Sequence, residues 1–283
     1  MNNVIACIDG SAINTAVCTA GCWVAQRLEK PLLLLHTLEK QQLQGAGDLS
    51  GAIGLGAQTE LLQKMAKLDE ERAQLALRLA KALVEQAEAE ARNSGCDNVN
   101  TLLRHGDFVD ALVELESDAR LMVVGKSGQD HASELTALGA HIETLIRQVH
   151  TSILITPHEF KVPERFMLAY DGRETADRSL ERVISGGLLT GLECHLVMVR
   201  NDAHATPDAL ERAAERLRAE GYSVKASLIE GAIFDSLQQY QHDHNIGLMI
   251  MGAFAHSKIR RMFLGSNTIR MIQSANIPLI VLR

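Results

Sequence analysis

The sequence lacks the cysteine pattern of a disulfide- or metal-stabilised protein. Its five cysteines are an odd number, and no two of them have the CxxC spacing of a zinc or redox site. Cys18 and Cys22 are four residues apart, but no second pair is present to complete a zinc site with them. We therefore expect five buried free thiols and a reducing compartment.

Signals for export and long apolar runs are also missing. The first residues, MNNVIACIDGS, contain no basic segment and turn after five apolar positions, unlike a signal peptide. No run reaches the roughly 18 apolar residues that a membrane-spanning helix needs. We therefore expect a cytoplasmic protein. Its net charge of −7 gives no general attraction to nucleic acid or to anionic lipid, so neither is an expected partner.

What the chain does have is length and internal repetition. At about 150 residues per domain, 283 residues predict two domains, and 46% hydrophobic residues are typical of globular proteins. An apolar run ending in Asp-Gly occurs at residues 4–10 and again at 166–172, and four further landmarks recur in the same order. We therefore predict two similar domains, over residues 1–157 and 163–283.

The two repeats differ in length. Asp171 lies 162 residues after Asp9, but Gly231 lies only 125 residues after Gly106, so the first half carries about 37 extra residues. They fall between residues 40 and 95, where a glycine-rich segment precedes a predicted amphipathic helix over residues 59–93. This region is either a surface elaboration, or a lid or partner surface that holds an apolar ligand. The candidate apolar contacts are Leu49, Ile53, Leu55 and Met65.

Each half alternates short apolar runs with helical patterns, which predicts an α/β fold. Continuous rather than alternating apolar strands indicate a parallel sheet that helices cover on both faces, a doubly wound arrangement. Ligands of such sheets bind outside the carboxyl ends of the strands. The residues expected there are Asp9 and Asp171, Thr37 and Val199, and Gly125 and Gly252.

A candidate phosphate site follows the strand that ends at Gly252. Small residues come next, and Gly265-Ser266 then opens the last helix, whose first N–H groups belong to Ser266, Asn267 and Thr268. A helix N-terminus with free donors suits a phosphate, and Lys258, Arg260 or Arg261 would add positive charge. Alternatively, Ser266 only caps the helix and the basic residues lie in solvent. The P-loop and GxGxxG motifs are both absent.

The repeat, the strand-Asp-Gly starts and the Gly-x-x-small-x9-Gly-Ser ending of residues 252–266 resemble the universal stress protein family. The resemblance covers nearly the whole chain as a tandem pair. It implies two Rossmann-like five-stranded parallel sheets of strand order 3-2-1-4-5. It also implies that the last strands, residues 152–156 and 278–282, pair antiparallel and join the halves as a pseudo-dimer. Further homodimerisation is left open.

The resemblance further implies ATP binding in the second half, with Mg²⁺ or Mn²⁺ arriving on the phosphates. By position the site comprises Asp171, Val199, Gly252, Ala255, His256, Gly265, Ser266, Asn267 and Thr268. Ala255 stands where the family usually has a second glycine. Asp171 would contact the nucleoside, although a role limited to capping a helix is the simpler alternative for it and for Asp9.

The first half departs further from the family motif. Its corresponding residues are Asp9, Thr37, Gly125, Gly128 and Gly139. Ten residues rather than nine precede Gly139, Ala140 replaces the hydroxyl residue, and Glu143 places a carboxylate near the helix start. We therefore expect this half to bind nucleotide poorly or to hold another ligand.

Taken together, these features predict a stress-response protein that binds adenine nucleotide and regulates an unidentified protein partner. It is not expected to be an enzyme beyond slow ATP hydrolysis. The alternative is a scaffold, or a sensor of an apolar or lipid-like ligand held by the first half. A phosphoryl- or adenylyl-transferase would need His256 or Lys258 at the phosphates. Elsewhere, His36 is expected to be a hydrogen-bonded core residue, and His242 and His244 lack the companions of a metal site.

Overall fold

The structure, a computed structural model, describes residues 2–38, 55–126, 140–200, 205–253 and 266–283. The strands are β1 (Asn3–Cys7), β2 (Leu32–Leu38), β3 (Val99–His105), β4 (Ala119–Gly125), β5 (Ile153–Thr156), β6 (Arg165–Ala169), β7 (Glu193–Arg200), β8 (Val224–Glu230), β9 (Leu248–Gly252) and β10 (Leu279–Leu282). The α-helices are α1 (Asn14–Leu28), α2 (Leu55–Asn93), α3 (Phe108–Leu115), α4 (Ala140–Gln148), α5 (Glu174–Gly186), α6 (Pro207–Ala219), α7 (Ile233–Asp243) and α8 (Ser266–Ser274).

All ten strands belong to one sheet of order β3-β2-β1-β4-β5-β10-β9-β6-β7-β8. Each half has the predicted order 3-2-1-4-5 with parallel neighbours. The halves meet where β5 and β10 pair antiparallel, with Ile280 opposite Leu154. The prediction that the last strands join the halves is therefore confirmed. This pairing covers two strand edges that would otherwise expose unpaired backbone groups.

Equivalent backbone contacts recur in the two halves at the predicted spacing. The N–H of Ile8 donates to Leu35 O, and 162 residues later the N–H of Tyr170 donates to Val197 O. Gly106 and Gly231, which follow β3 and β8, have φ angles of 125° and 124°. The halves thus share this contact between their first two strands and the same glycine conformation after the third strand, despite their different lengths.

The long helix predicted in the first half is present and begins earlier than expected, at Leu55 rather than at residue 59. In the second half the same connection is made by α6, which has 13 residues against 39 in α2. Since β3 and β8 begin 125 residues apart, α6 corresponds to the last three turns of α2. The described part of the insertion is therefore an N-terminal extension of the crossover helix.

Helices cover both faces of the sheet, as the doubly wound prediction requires. On one face α1, α2, α5 and α6 bury side chains such as Trp23, Val84, Leu180 and Leu217. On the other face α3, α4, α7 and α8 bury others, including Leu145 and Met271. Both apolar layers continue from one half into the other, so the chain has one core on each face of a shared sheet.

Cationic side chains hold helix C-termini across the boundary between the halves, and one of them, Arg120 of β4, donates to Gly186 O at the end of α5 at 2.9 Å. Lys126, which follows β4, donates through Nζ to Ala275 O just beyond α8, at 3.0 Å. Arg283, which follows β10, donates to Arg147 O and Val149 O at the end of α4, both at 2.6 Å. The carbonyl end of a helix carries partial negative charge, so each half stabilises a helix of the other.

Several minor predictions can also be compared with the structure. All five cysteines are buried, as expected, and burial raises the pKa of the Cys18 and Cys22 thiols to about 12. His36 Nδ1 lies 2.7 Å from Ile8 O, so the expected hydrogen bond is present, but the side chain is half-buried and not part of the core. Within the described ranges, no helix combines the length and apolar character needed to cross a membrane.

Candidate functional site

The predicted crevice of the second half lies where β6 is flanked by β9 and β7. β6 pairs with both strands. On one side of β6 the half-sheet continues through β7 to β8, and on the other side it continues through β9 to β10. The chain therefore leaves β6 in one direction and later returns to its other side, which leaves a gap between the two loops at this point. Asp171 follows β6, Gly252 ends β9, and Ser266 begins α8. The structure therefore brings these three sequence-predicted positions to one edge of the sheet, where parallel sheets bind ligands.

Both aspartates bind the turn that follows them. Asp171 Oδ1 accepts a hydrogen bond from Arg173 N at 3.1 Å, and Asp9 Oδ1 accepts from Ser11 N at 2.9 Å. The N-cap positions of α1 and α5 belong to Ile13 and Arg173, so neither aspartate caps its helix. Each carboxylate instead stabilises an Asp-Gly turn. The glycines of these turns, Gly10 and Gly172, have positive φ angles of 84° and 75°.

Arg173 is a candidate residue that the sequence analysis did not include. Its guanidinium Nη1 lies 3.5 Å from Asp171 Oδ2, and its side chain is 24% exposed. Ser11 occupies the same position in the first half, where its hydroxyl donates to Asp9 Oδ1 at 2.6 Å. The difference between Asp-Gly-Arg and Asp-Gly-Ser was visible in the sequence, but nothing local indicated that the side chain would reach back to the crevice.

The two strand-ending glycines have different environments. A Cβ added to Gly125 would lie 2.6 Å from Ile13 Cγ2, closer than such atoms approach. A Cβ added to Gly252 would meet Ser179 Oγ at 3.6 Å, an ordinary contact. Packing therefore explains the glycine at 125. Among the described residues, packing does not explain the glycine at 252.

The N-terminus of α8 differs in charge from that of α4. No acidic residue lies in the first turn of α8, whereas Glu143 lies in the first turn of α4 and forms an ion pair with Arg147. Ser266 is exposed and Asn267 is half-buried. The helix dipole at α8 is thus not opposed by a carboxylate in its first turn.

Thr268 has a structural role in addition to its predicted one. It is 5% exposed, and its hydroxyl donates to Gly252 O at 3.4 Å. This contact ties the start of α8 to the end of β9. Because this contact uses the hydroxyl, the backbone N–H of Thr268 is the group that remains a candidate donor to a ligand.

Two predicted strand ends need correction. β2 continues to Leu38 and β7 to Arg200, so Thr37 and Val199 are the penultimate residues of their strands. The last residue of β2, Leu38, still pairs with β3, and the last residue of β7, Arg200, still pairs with β8. Val199 is 7% exposed, which limits the contact it can offer to a ligand.

Other predicted residues lie outside the described part of the chain. In the second half these are Ala255, His256, Lys258, Arg260, Arg261 and Gly265. In the first half they are Gly128, Gly139, Leu49 and Ile53, together with the side chains of Leu55 and Ala140. Met65, the remaining candidate apolar contact, is half-buried on α2.

A buried polar cluster lies near the opposite end of β7. His195 is 2% exposed, and its Nδ1 is 3.0 Å from Tyr240 Oη, which also lies 3.0 Å from Ser227 Oγ. Its Nε2 is 3.3 Å from Glu193 Oε1 without forming a hydrogen bond. Burial lowers the pKa of His195, while Glu193 opposes this shift. The position at the amino end of the strand separates this cluster from the crevice.

Comparisons with known proteins agree with this architecture. A universal stress protein of Synechocystis sp. is 29% identical over 288 residues, and the match covers all of both chains. The crystal structure of a universal stress protein from Archaeoglobus fulgidus matches with a TM-score of 0.75 at 19% identity, over 100% of this chain and 98% of that one. A putative universal stress protein from Pseudomonas aeruginosa matches with a TM-score of 0.64 at 14% identity, over 100% and 93%.

At these identities the two structural matches establish the fold alone. The family itself is established by a sequence match to the Universal stress protein family over residues 1–157 and 163–283, which together make up nearly the whole chain. This match accounts for the repeated Asp-Gly turns, the strand order of each half and the tandem arrangement. The chain therefore belongs to the universal stress protein family.

Proposed function

We propose that the second half of this chain binds an adenine nucleotide, ATP, at the crevice between β6 and β9, and that the protein acts as a ligand-responsive stress regulator. The nucleoside lies near Asp171, and the phosphates lie at the first turn of α8. The first half, in this proposal, binds no nucleotide at its corresponding position. Its aspartate turn and its strand-ending glycine serve the fold.

The observation that carries the proposal is the contrast between α8 and α4. Both helices begin at the same place in the fold, after the fourth strand of each half. The first turn of α8 contains no acidic residue, whereas that of α4 contains Glu143. A carboxylate in the first turn competes with a phosphate for the same partial positive charge, so only α8 is suited to an anion.

The surrounding residues fit a nucleotide. Gly252 leaves space on the α5 face of the sheet at the end of β9, because an added Cβ would meet only Ser179 Oγ of α5, at 3.6 Å, among the described residues. Arg173 supplies a guanidinium at the crevice, 3.5 Å from Asp171 Oδ2. No cluster of three or more metal-ligating side chains occurs in the described ranges, so Mg²⁺ or Mn²⁺ would be bound mainly by the phosphates.

The position of α8 also supports a regulatory role. Its first turn lies at the crevice, and its last turn leads to Ala275 O, which accepts a hydrogen bond from Lys126 of the first half. A ligand that contacts the start of this helix therefore acts on an element that both halves hold. Among the described residues of the crevice, Asp171 is the one candidate general base, and we assign it to the nucleoside, so the proposal includes at most slow ATP turnover. The buried thiols suit a reducing compartment such as the cytoplasm.

The proposal is tested by calorimetric titration of the full chain with ATP and Mg²⁺. Ser266→Glu places a carboxylate in the first turn of α8, where the dipole favours it, so the helix should remain folded. Its repulsion of the phosphates should raise the dissociation constant at least about tenfold. Ala140→Glu puts the same charge at the start of α4 and is the matched control, with no expected change in ATP affinity.

Two results would contradict the proposal. One is a wild-type protein that binds no ATP at millimolar concentration, and the other is an equal loss in Ala140→Glu and Ser266→Glu. Mass spectrometry of the small molecules released by denaturing the purified protein provides an independent measurement. Recovery of an apolar molecule in place of adenine nucleotide would favour the alternative of an apolar-ligand sensor.

A further inference from the structure

The extension of α2 exposes leucines on one side of the helix. Leu68, Leu75 and Leu79 are 52%, 57% and 63% exposed, among the largest exposures of apolar side chains in the described chain. Between residues 63 and 79 no side chain is buried, and only Met65 and Leu77 are half-buried. This part of α2 spans about 25 Å at 1.5 Å per residue.

A different face of α2 packs against the body of the first half. Ala80, Val84, Ala87 and Ala91 are 2%, 8%, 3% and 0% exposed, and they recur every three or four residues in the portion that corresponds to α6. At 100° per residue, Leu75 lies about 140° around the helix from Ala80. The exposed leucines therefore point away from the body, and the packing of this domain does not account for them.

The exposed face has heptad spacing. Met65, Leu68, Arg72, Leu75, Leu79, Ala82 and Gln86 follow one another at alternating intervals of three and four residues. Such spacing keeps one seam of a helix facing a second helix over successive turns, with leucine at the d positions 68 and 75. We propose that this seam, the α2 stripe, pairs with the α2 stripe of a second copy of the chain as an antiparallel two-helix coiled coil.

The charged residues beside the α2 stripe indicate that its partner is a second copy of the chain and that the two helices are antiparallel. When Leu68 faces Leu79 of the second copy, Glu71 lies beside Arg78 of that copy, and two-fold symmetry forms this pair twice. The same register puts Lys64 beside Glu85 of the second copy. All four side chains are exposed in the single chain. Every flanking pair on this side is thus of opposite charge.

Parallel pairing is disfavoured by the residue at the centre of the stripe. It would place Arg72 directly against Arg72 of the second copy, two like charges within an apolar seam. Antiparallel pairing places Arg72 across from Leu75 instead. There its apolar stem can pack while its guanidinium reaches solvent. The stripe is therefore complementary to an inverted copy of itself.

Sedimentation equilibrium of the full chain tests this inference. We expect a dimer, and we expect the double variant Leu75→Glu, Leu79→Glu to raise the dimer dissociation constant at least about a hundredfold. Both side chains are already exposed in the single chain, so the far-ultraviolet circular dichroism should not change. Val162→Glu replaces an apolar side chain that is 61% exposed outside α2, and it should leave the dimer intact.

Charge reversal and cross-linking test the register. Arg78→Glu should weaken the dimer, and adding Glu71→Arg should restore it, because the exchanged charges again face opposite partners. Leu68→Cys protein mixed with Leu79→Cys protein should form a disulfide between copies on oxidation. Each variant alone should not, since identical positions lie about 16 Å apart along the antiparallel pair.

The inference is overturned by a chain that stays monomeric at all concentrations, or by a dimer that the double glutamate variant leaves intact. Cross-linking of Leu68→Cys with itself would show a parallel pair and would also overturn it. The inference is also overturned if the wild-type chain is monomeric and the double glutamate variant lowers its free energy of unfolding. The α2 stripe would then be covered by residues of the same chain. ATP titration of the double variant keeps this test separate from the proposed nucleotide site.

Discussion

The two halves of this protein share a fold and a backbone register but use equivalent positions differently. Gly125 and Gly252 both end the fourth strand of their half, yet within the described part of the chain neighbouring side chains exclude a Cβ at Gly125 and not at Gly252. The helix that follows this strand has Glu143 in its first turn in the first half and no acidic residue in its first turn in the second. Equivalent positions of a tandem repeat can therefore meet different packing and electrostatic demands in the two halves.

The halves also differ in how they extend beyond the common fold. The crossover helix after the second strand has 39 residues in the first half and 13 in the second. The additional turns carry the exposed leucines, while the crevice with Arg173 belongs to the second half. Taken together, the two proposals assign a docking surface to the first half and a ligand site to the second.

The largest expected effect separates the two glycines. Gly125→Ala should lower the free energy of unfolding by about 1–3 kcal/mol, because its Cβ must displace the buried Ile13. Gly252→Ala should change stability by less than about 0.5 kcal/mol and should instead weaken ATP binding. Urea unfolding and ATP titration of both variants measure the contrast. Equal destabilisation by the two substitutions would refute it.

A smaller effect is expected at the boundary that joins the halves. Lys126→Met and Arg283→Met each remove a cation from the carbonyl end of a helix in the other half and keep most of the apolar stem. Each should cost about 1 kcal/mol of unfolding free energy, measured by urea unfolding. Lys225→Met, at an exposed position of β8, is the control. The comparison fails if only one of the two boundary variants is less stable than this control.

The smallest effect concerns the buried histidine of the second half, which corresponds to Leu33 in the first. Burial lowers the pKa of His195, so near pH 6 the unfolded chain binds a proton that the folded protein does not. Stability should therefore fall as the pH drops below about 6.5 and level off below the folded pKa. Glu193 counteracts this change, and Lys225 and His244 add to it.

The variant His195→Leu isolates this contribution. Its unfolding free energy should fall less than that of the wild type between about pH 7.5 and about pH 5.5. Urea unfolding at each pH gives the comparison, and the histidines that do not contact His195 contribute equally to both proteins. Parallel pH profiles for the two proteins would show that His195 does not titrate differently on folding.

Much of the fold could be predicted from local patterns. Continuous apolar runs predicted parallel strands with helices on both faces, and the recurring Asp-Gly turns predicted two similar halves. The long helix after the second strand was visible in its amphipathic spacing, although its start was placed four residues late. Resemblance to the family added the strand order and the antiparallel pairing of β5 with β10, which periodicity alone does not specify.

The candidate site was less accessible to sequence reasoning. Asp171, Gly252 and the start of α8 were expected together, because parallel strands place their carboxyl ends at one edge. The reach of Arg173 back to Asp171 depends on a turn and a rotamer, and the burial of the Thr268 hydroxyl depends on the distance to Gly252. Neither leaves a periodic signal in the chain.

The sequence by itself determined the order of the elements, the repeat and the chemical character of the two helix starts, because these depend on residues a few positions apart. Only the tertiary structure decided three other features. These are the glycine at which packing excludes a side chain, the leucines of α2 that remain exposed, and the cations that bind helix C-termini of the opposite half. Lys126 and Ala275, for example, are 149 residues apart in the chain. Their contact exists because β5 and β10 pair, and such long-range neighbours are set by the assembled sheet.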